Sequence, residues 1–411
     1  MSGGCLVVTR QTLERRPLHV WLDYPERTVL MSPEDALRAA DPSVLERFRA
    51  VVPLSGDYTA WTVEQHVLDT ATDFRVDRVV GSSEDDVLRL ARVRAVLDLP
   101  GQPVESALAY RDKLEMLSAV AAAGMPVPET RLLHGPVDLL RAVEGLGLPM
   151  VVKPRLGAAS EGVRILRETA DVQALLRSGL LPAAPRGAPT LLAQQFVHGA
   201  MCHVDGVMQS GRVLLDWPGA YSCGVADLLA PEAHLVDRHL GDEDPRTPVL
   251  RELAARVVSA LPAPPDPTAF HLEAWLDSEG RATFCEIASR PGGATVPLLF
   301  DAAFGLSLSR ANFRGQAGDP VDLPPTGTRP RAAAGAVVVA PGRGTFVAPE
   351  GPPPPGLTHC SMAVEPGARS EGPRYGGDSA LLAGVAAPDH EALADRLAAV
   401  LRWWRSAARW K

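Results

Sequence analysis

Short apolar runs alternate with helical spacings along the first hundred residues. The runs 18–22, 50–54 and 76–80 read as strands, and 33–49, 61–72 and 84–97 carry the apolar period of helices between them. That rhythm predicts an open parallel α/β sheet, a small Rossmann-like domain over 1–104. No G-x-G-x-x-G follows its first strand, so no dinucleotide site is indicated there. An Ala- and Leu-rich helix is predicted from Glu105 to Ala123, and Gly124 with the prolines at 126 and 128 stops it.

The rest of the chain is richer in strand patterns. Residues 149–154 form an apolar run ending on a lysine, and 163–166, 191–197, 203–208 and 212–217 read as further strands. An amphipathic helix is predicted near 249–260. The clearest hairpin runs from Phe270 to Leu276 and back from Ala282 to Ile287 around Ser278-Glu279-Gly280. A strand at 331–340, a proline tract at 352–355 that reads as a rigid surface loop, and a helix at 389–405 close the sequence.

Composition narrows the partners. With 411 residues, 46% hydrophobic and 22% charged, the chain reads as a soluble globular protein of two to three domains. Its net charge is −8 and it has no block of basic residues, which argues against nucleic acid and anionic membrane surfaces. No run of ~18 apolar residues and no signal-peptide pattern stand out. Five scattered cysteines (Cys5, Cys202, Cys223, Cys285, Cys360) give neither a disulfide framework nor a zinc site, so a reduced cytoplasm is the expected location. The only lysines among 41 basic residues are Lys113, Lys153 and Lys411. With Asn and Ile also scarce, this resembles the codon bias of a GC-rich genome. An internal lysine that survives it points to a place needing a compact ammonium.

Four elements carry candidate chemistry. A four-residue loop at 278–281 sets Ala282 opposite Asp277 and Glu286 opposite Glu273, on one face of the hairpin. Two carboxylates so placed repel unless a cation lies between them, which suggests Mg²⁺ bridging phosphates; a solvated face is the alternative. Lys153 is followed by a loop with Gly157, Ser160 and Gly162, offering a point charge and backbone N–H groups to a polyphosphate; a plain Gly-rich turn is the alternative. Lys113 lies on the helix predicted from Glu105. Finally, Arg290 and the Gly292-Gly293 pair follow Glu286, suiting an arginine that grips a carboxylate or phosphoryl group, or a structural ion pair.

In this order the four elements resemble the ATP-grasp superfamily, specifically its carboxylate–amine ligases, and the spacing Glu286-Ile287-Ala288-Ser289-Arg290 resembles that of the dipeptide-forming amino-acid ligases. The resemblance covers most of the chain. It implies an α/β protein with an N-terminal Rossmann-like (pre-ATP-grasp) domain over 1–104, an ATP-grasp core over 105–320 divided into subdomains 105–193 and 194–320, and a small C-terminal α+β domain over 327–411. It implies that Lys113 and Lys153 contact ATP phosphates, that the loop 156–162 closes over them, and that Glu273 and Glu286 hold Mg²⁺. It further implies that Arg290 stabilises an acyl-phosphate. Gln194, Gln195, Phe196 and Val197 resemble the strand that stacks on and hydrogen-bonds adenine. Gln194 stands where many members have Glu, Met201 near the usual ribose-binding acid, and Ala288 where an Asn often sits.

The implied reaction transfers a phosphoryl group from ATP to a small carboxylic or amino acid, after which an amine displaces phosphate and an amide forms, as in secondary metabolism. It needs no protein nucleophile, in keeping with the absence of G-x-S-x-G and H-E-x-x-H patterns. His203, Asp205, His271 and Cys285 are expected to pack or face solvent. The expected partners are small molecules, with the substrate pocket built from N-terminal loops, residues near 218–234 and Gly292-Gly293; a homodimer stays open. The competing readings are a bicarbonate-activating carboxylase-type enzyme and a silent nucleotide-binding protein.

Overall fold

A computed structural model describes residues 4–179, 191–374 and 376–411. The N-terminal region is a parallel sheet in the order Ala50–Leu54, Thr28–Pro33, Cys5–Val8, Arg78–Gly81. Its strands are short β-branched and apolar runs, and Val7, Val8, Val29 and Met31 are fully buried, as a sheet covered on both faces requires. The run at 18–22 is a correction: Leu18–Trp21 is a one-turn helix, not a strand. Five apolar residues fit either form, and Pro17 pre-sets the backbone ahead of the helical turn. The strands Cys5–Val8 and Thr28–Pro33 take the places that reading left open. The helix expected over 33–49 breaks into Glu34–Arg38 and Pro42–Leu45, because Pro42 begins the second helix and Asp41 caps it by accepting from the Ser43 N–H. Helices Thr62–Asp73 and Glu84–Leu97 stand where the periodicity put them.

A small antiparallel sheet follows, in the order Thr130–Leu133, Leu191–Gln195, Met150–Pro154, Arg164–Leu166. Period-two alternation decides its two faces. Met150 and Val152 join Leu139, Val172 and Leu175 of helices Pro136–Leu146 and Thr169–Arg177 in a core, while Val151 and Lys153 point the other way into a cavity.

The largest sheet has eight strands in the order Ala282–Ala288, Thr268–Leu276, Ala200–Gln209, Arg212–Tyr221, His234–His239, Ala333–Val339, Leu381–Ala387, Leu357–Ser361. Helix Arg246–Ala260 and helix Lys113–Ala122 bury one face around Phe270, Leu272 and Phe284. Helices Val296–Phe304 and Leu308–Ala317 cover the other, around Trp217, Phe300 and Leu308. The segment from 327 therefore does not build its main sheet alone: three of its strands extend the central one, and helix His390–Ala407 packs on that extension through Leu393, Leu397 and Val400. Only the short strands Arg343–Val347, Arg369–Glu371 and Arg409–Trp410 pair among themselves.

Candidate functional site

The hairpin brings Glu273 and Glu286 opposite each other, by a route different from the one the loop length suggests. At the loop end the register is one residue off the expected one, since Leu276 rather than Asp277 faces Ala282. The register then shifts at Cys285, the extra residue between the Ala274–Phe284 and Glu273–Glu286 pairs, and the bulge restores the carboxylate pair.

Lys113 completes this corner. The helix expected over 105–123 is two helices, Val104–Ala109 and Lys113–Ala122, because Asp112 stops the first and caps the second by accepting from the Leu114 and Glu115 N–H groups. The break places Lys113 in the first turn, with Nζ 3.1 Å from a Glu286 carboxylate oxygen and donating to the Gly157 carbonyl at 2.7 Å. Burial opposes charge on Glu286, but Lys113 and then Lys153 outweigh it and hold its carboxyl well below the usual carboxylate range.

Lys153 ends its strand 6% exposed and faces the same cavity. The loop beyond it turns through left-handed backbone at Ala159, Ser160 and Gly162. Gly157 and Ser160 line the cavity, whereas Gly162 lies behind it against the Pro154 ring. Arg155 ties the loop to the Lys113 helix by donating to Asp112 at 2.6 Å and to Glu115 at 3.1 Å.

Gln194, Gln195, Phe196 and Val197 line this cavity too, which measures about 400 Å³. The Gln194 side chain donates to the Thr130 hydroxyl at 3.0 Å, so its amide is engaged by its own sheet. Phe196 stands edge-on to His198 at 4.9 Å. Glu273, Glu286, Cys285 and the segment 221–227 also line it.

Arg290 lies outside the large cavity, in a small recess with Glu84, Arg111 and His271 that shares Lys113, Gly157 and Glu286 with it. Its guanidinium bonds the Glu84 carboxylate and donates to the Pro291 carbonyl at 2.8 Å. Burial works against charge on Glu84, yet Arg290 and Arg111 hold its carboxyl below its ordinary value. Gly292, expected to admit a ligand, instead packs on protein: a Cβ there would meet Asp205 and His271 at 2.9 Å.

His203, Asp205 and His271 neither pack among apolar side chains nor face solvent. They form a buried polar ladder across four strands and into the next loop. His271 Nδ1 meets Asp205 at 2.7 Å, Asp205 meets His203 Nδ1 at 2.5 Å, and His203 Nε2 meets Asp237 at 2.8 Å. The Thr295 hydroxyl donates to Asp237 at 2.6 Å, and His271 Nε2 lies 3.5 Å from Glu273 at the other end. Burial disfavours charge on both rings, but Asp237 and Asp205 push His203 up to about 10, and Asp205 and Glu273 push His271 up to about 9. The Tyr221 ring stacks on His203 at 4.6 Å. Asp237, Thr295 and Glu84 are site neighbours that motif reading missed, while Tyr221 falls in the 218–234 stretch expected to help build the pocket; the local signal within the array's strands is the His203-x-Asp205 alternation.

No family model matches the sequence. A crystal structure of an L-amino acid ligase from Bacillus licheniformis superimposes with a TM-score of 0.71, at 18% identity, over 98% of both chains. The fold is the ATP-grasp fold. A biotin carboxylase domain from Hydrogenobacter thermophilus, solved with MgADP and bicarbonate, shares this ATP-grasp architecture with a TM-score of 0.70 at 15% identity, over 98% of this chain and 90% of that one. In sequence, an L-arginine-specific L-amino acid ligase of Bacillus subtilis is 25% identical over 267 residues, covering 61% of this chain and 63% of that protein. The chain thus spans less than two thirds of that relative's length, and 51% of a second. Among the described residues, no helix is long and apolar enough to cross a membrane.

Proposed function

We propose that this protein is an ATP-dependent carboxylate–amine ligase, which forms an amide bond between a small carboxylic or amino acid and an amine through an acyl-phosphate. One observation carries the reading: a carboxylate pair, Glu273 and Glu286, and the two internal lysines line one nucleotide-sized cavity, which shares Lys113 and Glu286 with an arginine-bearing recess. The residues fit the groups they would hold. Two facing carboxylates are hard oxygen donors of the kind Mg²⁺ prefers, and the cavity falls in the range of roughly 300–1,000 Å³ typical of small-molecule sites. Mg²⁺ held by Glu273 and Glu286 would neutralise developing charge on the transferred phosphoryl group.

The chain's own residues supply the rest. Lys153 places a point charge on the phosphate side of the cavity, while Gly157 and Ser160 line the loop above it. Gln194, Gln195, Phe196 and Val197 line the same cavity and are suited to the adenine. Lys113, shared by both spaces, balances Glu286 and faces the point of transfer. Arg290, in the recess, orients the acid's carboxylate and stabilises the acyl-phosphate oxygens. Positioning and charge then supply the rate without a covalent enzyme intermediate.

The test is ADP release with Mg²⁺ and ATP across a grid of amino acids, offered singly and in pairs, with product masses read from the same wells. ADP that rises only with particular substrates, beside a product one water lighter than their sum, is the expected result. ADP that appears only with bicarbonate would replace the ligase reading by the carboxylase one. Nucleotide binding without turnover in any well, other acids included, would overturn both.

A further inference from the structure

We propose that His271, Asp205, His203 and Asp237 act as one positioning array that fixes the Glu273 carboxylate and keys it to the segment carrying Arg290. This inference rests on the ligase reading. His203, Asp205 and Asp237 are completely buried away from the cavity and His271 lines the Arg290 recess, so the array is assigned a positioning role, acting through Glu273 at one end and Thr295 at the other.

The geometry is continuous. Glu273 pairs in register with His203, and His271 with Asp205, so all four project from one face of neighbouring strands. The array then crosses a whole strand: His203 reaches over Gly219 to Asp237 on the strand beyond, and a Cβ at 219 would lie 2.2 Å from His203 Nε2. The sheet has a glycine at the one position where a side chain would break the line. At the far end, Thr295 bonds Asp237, and Gly292 rests directly on the Asp205–His271 pair. Residues 291–295 follow Arg290, so the same four side chains hold both the carboxylate and the arginine segment.

Burying such a chain of acids and imidazoles is a poor way to stabilise a sheet. Well-packed apolar residues in place of buried ion pairs are often neutral or better for stability. His203, Asp205 and Asp237 are nonetheless completely buried. Carboxylates that hold a metal depend on hydrogen-bond partners behind them for orientation, and loss of such partners typically lowers metal affinity roughly 10–100-fold. His271 occupies that place behind Glu273.

The experiment measures ADP binding to the full chain by calorimetry, without Mg²⁺ and at rising Mg²⁺, for the wild type and for His203→Leu, Thr295→Val and Thr295→Ser. Expected are a shift of the Mg²⁺ midpoint by roughly 10-fold or more in His203→Leu, a smaller shift in Thr295→Val, and recovery in Thr295→Ser, which keeps the hydroxyl. ADP affinity without Mg²⁺ stays unchanged in all four. Folded variants with the wild-type Mg²⁺ midpoint would overturn the array while leaving the ligase reading intact. If His203→Leu fails to fold, the Thr295 pair decides by the same criterion. A wild type whose ADP binding ignores Mg²⁺ would remove the ligase reading and the array with it.

Discussion

Gly219→Ala tests whether the sheet is built around the His203 ring. Gly219 has no left-handed backbone requirement, so alanine adds only a methyl group. That methyl would stand 2.2 Å from His203 Nε2 and 2.4 Å from Cε1, against an ordinary contact of 3.4–4 Å. The ring must therefore retreat by more than 1 Å, and the 2.8 Å bond to Asp237 is lost. Asp237 is completely buried, and breaking a buried pair from one side leaves an uncompensated charge at a loss of roughly 3–5 kcal/mol. Urea unfolding at pH 7 followed by circular dichroism should show a loss of that size. In a His203→Ala background the added methyl has no ring to meet, and its effect should shrink to a fraction of it. A loss below about 0.5 kcal/mol in the wild-type background would refute the reasoning. So would an equal loss in both backgrounds, since it would assign the clash to the Arg238 carbonyl, 3.2 Å from the added methyl, and not to the imidazole.

Lys153→Arg should fold normally and lose most ATP turnover, roughly tenfold or more, because a planar guanidinium cannot replace a point charge in that buried position; near-normal ADP release would defeat the argument from lysine scarcity. Asp86 is 1% exposed and accepts from the Tyr58 hydroxyl at 2.8 Å, and burial pushes its carboxyl up to about 6 despite the opposing pull of Arg89. A folded value above the unfolded one gives a contribution fully present below about pH 4 and lost as pH rises through 6, of order 3 kcal/mol. Asp86→Asn should flatten the stability profile across that window, and an unchanged slope in the variant would exclude Asp86 as its source.

The parts of the site that sequence made legible are those fixed by local chemistry. Lys113 and Lys153 stood out because the chain uses arginine nearly everywhere else, and both line the large cavity. The Lys153 loop was readable from glycines within one turn of a strand end. The Glu273–Glu286 pair was readable too, but through arithmetic that missed the bulge at Cys285 and an offset of one at the loop; the two errors cancelled. Hairpin register depends on loop length and bulges together, and nothing local to Cys285 announces one. The helix break at Asp112 was a local cap signal overlooked within a long apolar period.

What stayed illegible was assembled by tertiary registration. Glu84 meets Arg290 across 206 positions of sequence, and Asp237 meets Thr295 across 58. Each of these residues, taken alone, is an ordinary polar side chain in an ordinary element. The C-terminal strands likewise gave no hint that they would extend the central sheet, because pairing partners are chosen by packing and not by the strand's own pattern. This division has a physical root. Groups that meet phosphate need charge and backbone freedom at one place in the chain, which leaves a local trace. Groups that hold those charges in place need only opposite charge and a shared sheet face, and any strand can bring them. The array from Glu273 to Thr295 belongs to the second kind, and its traces in the sequence are the His203-x-Asp205 alternation and Gly219, a residue informative only once the ring beside it is known.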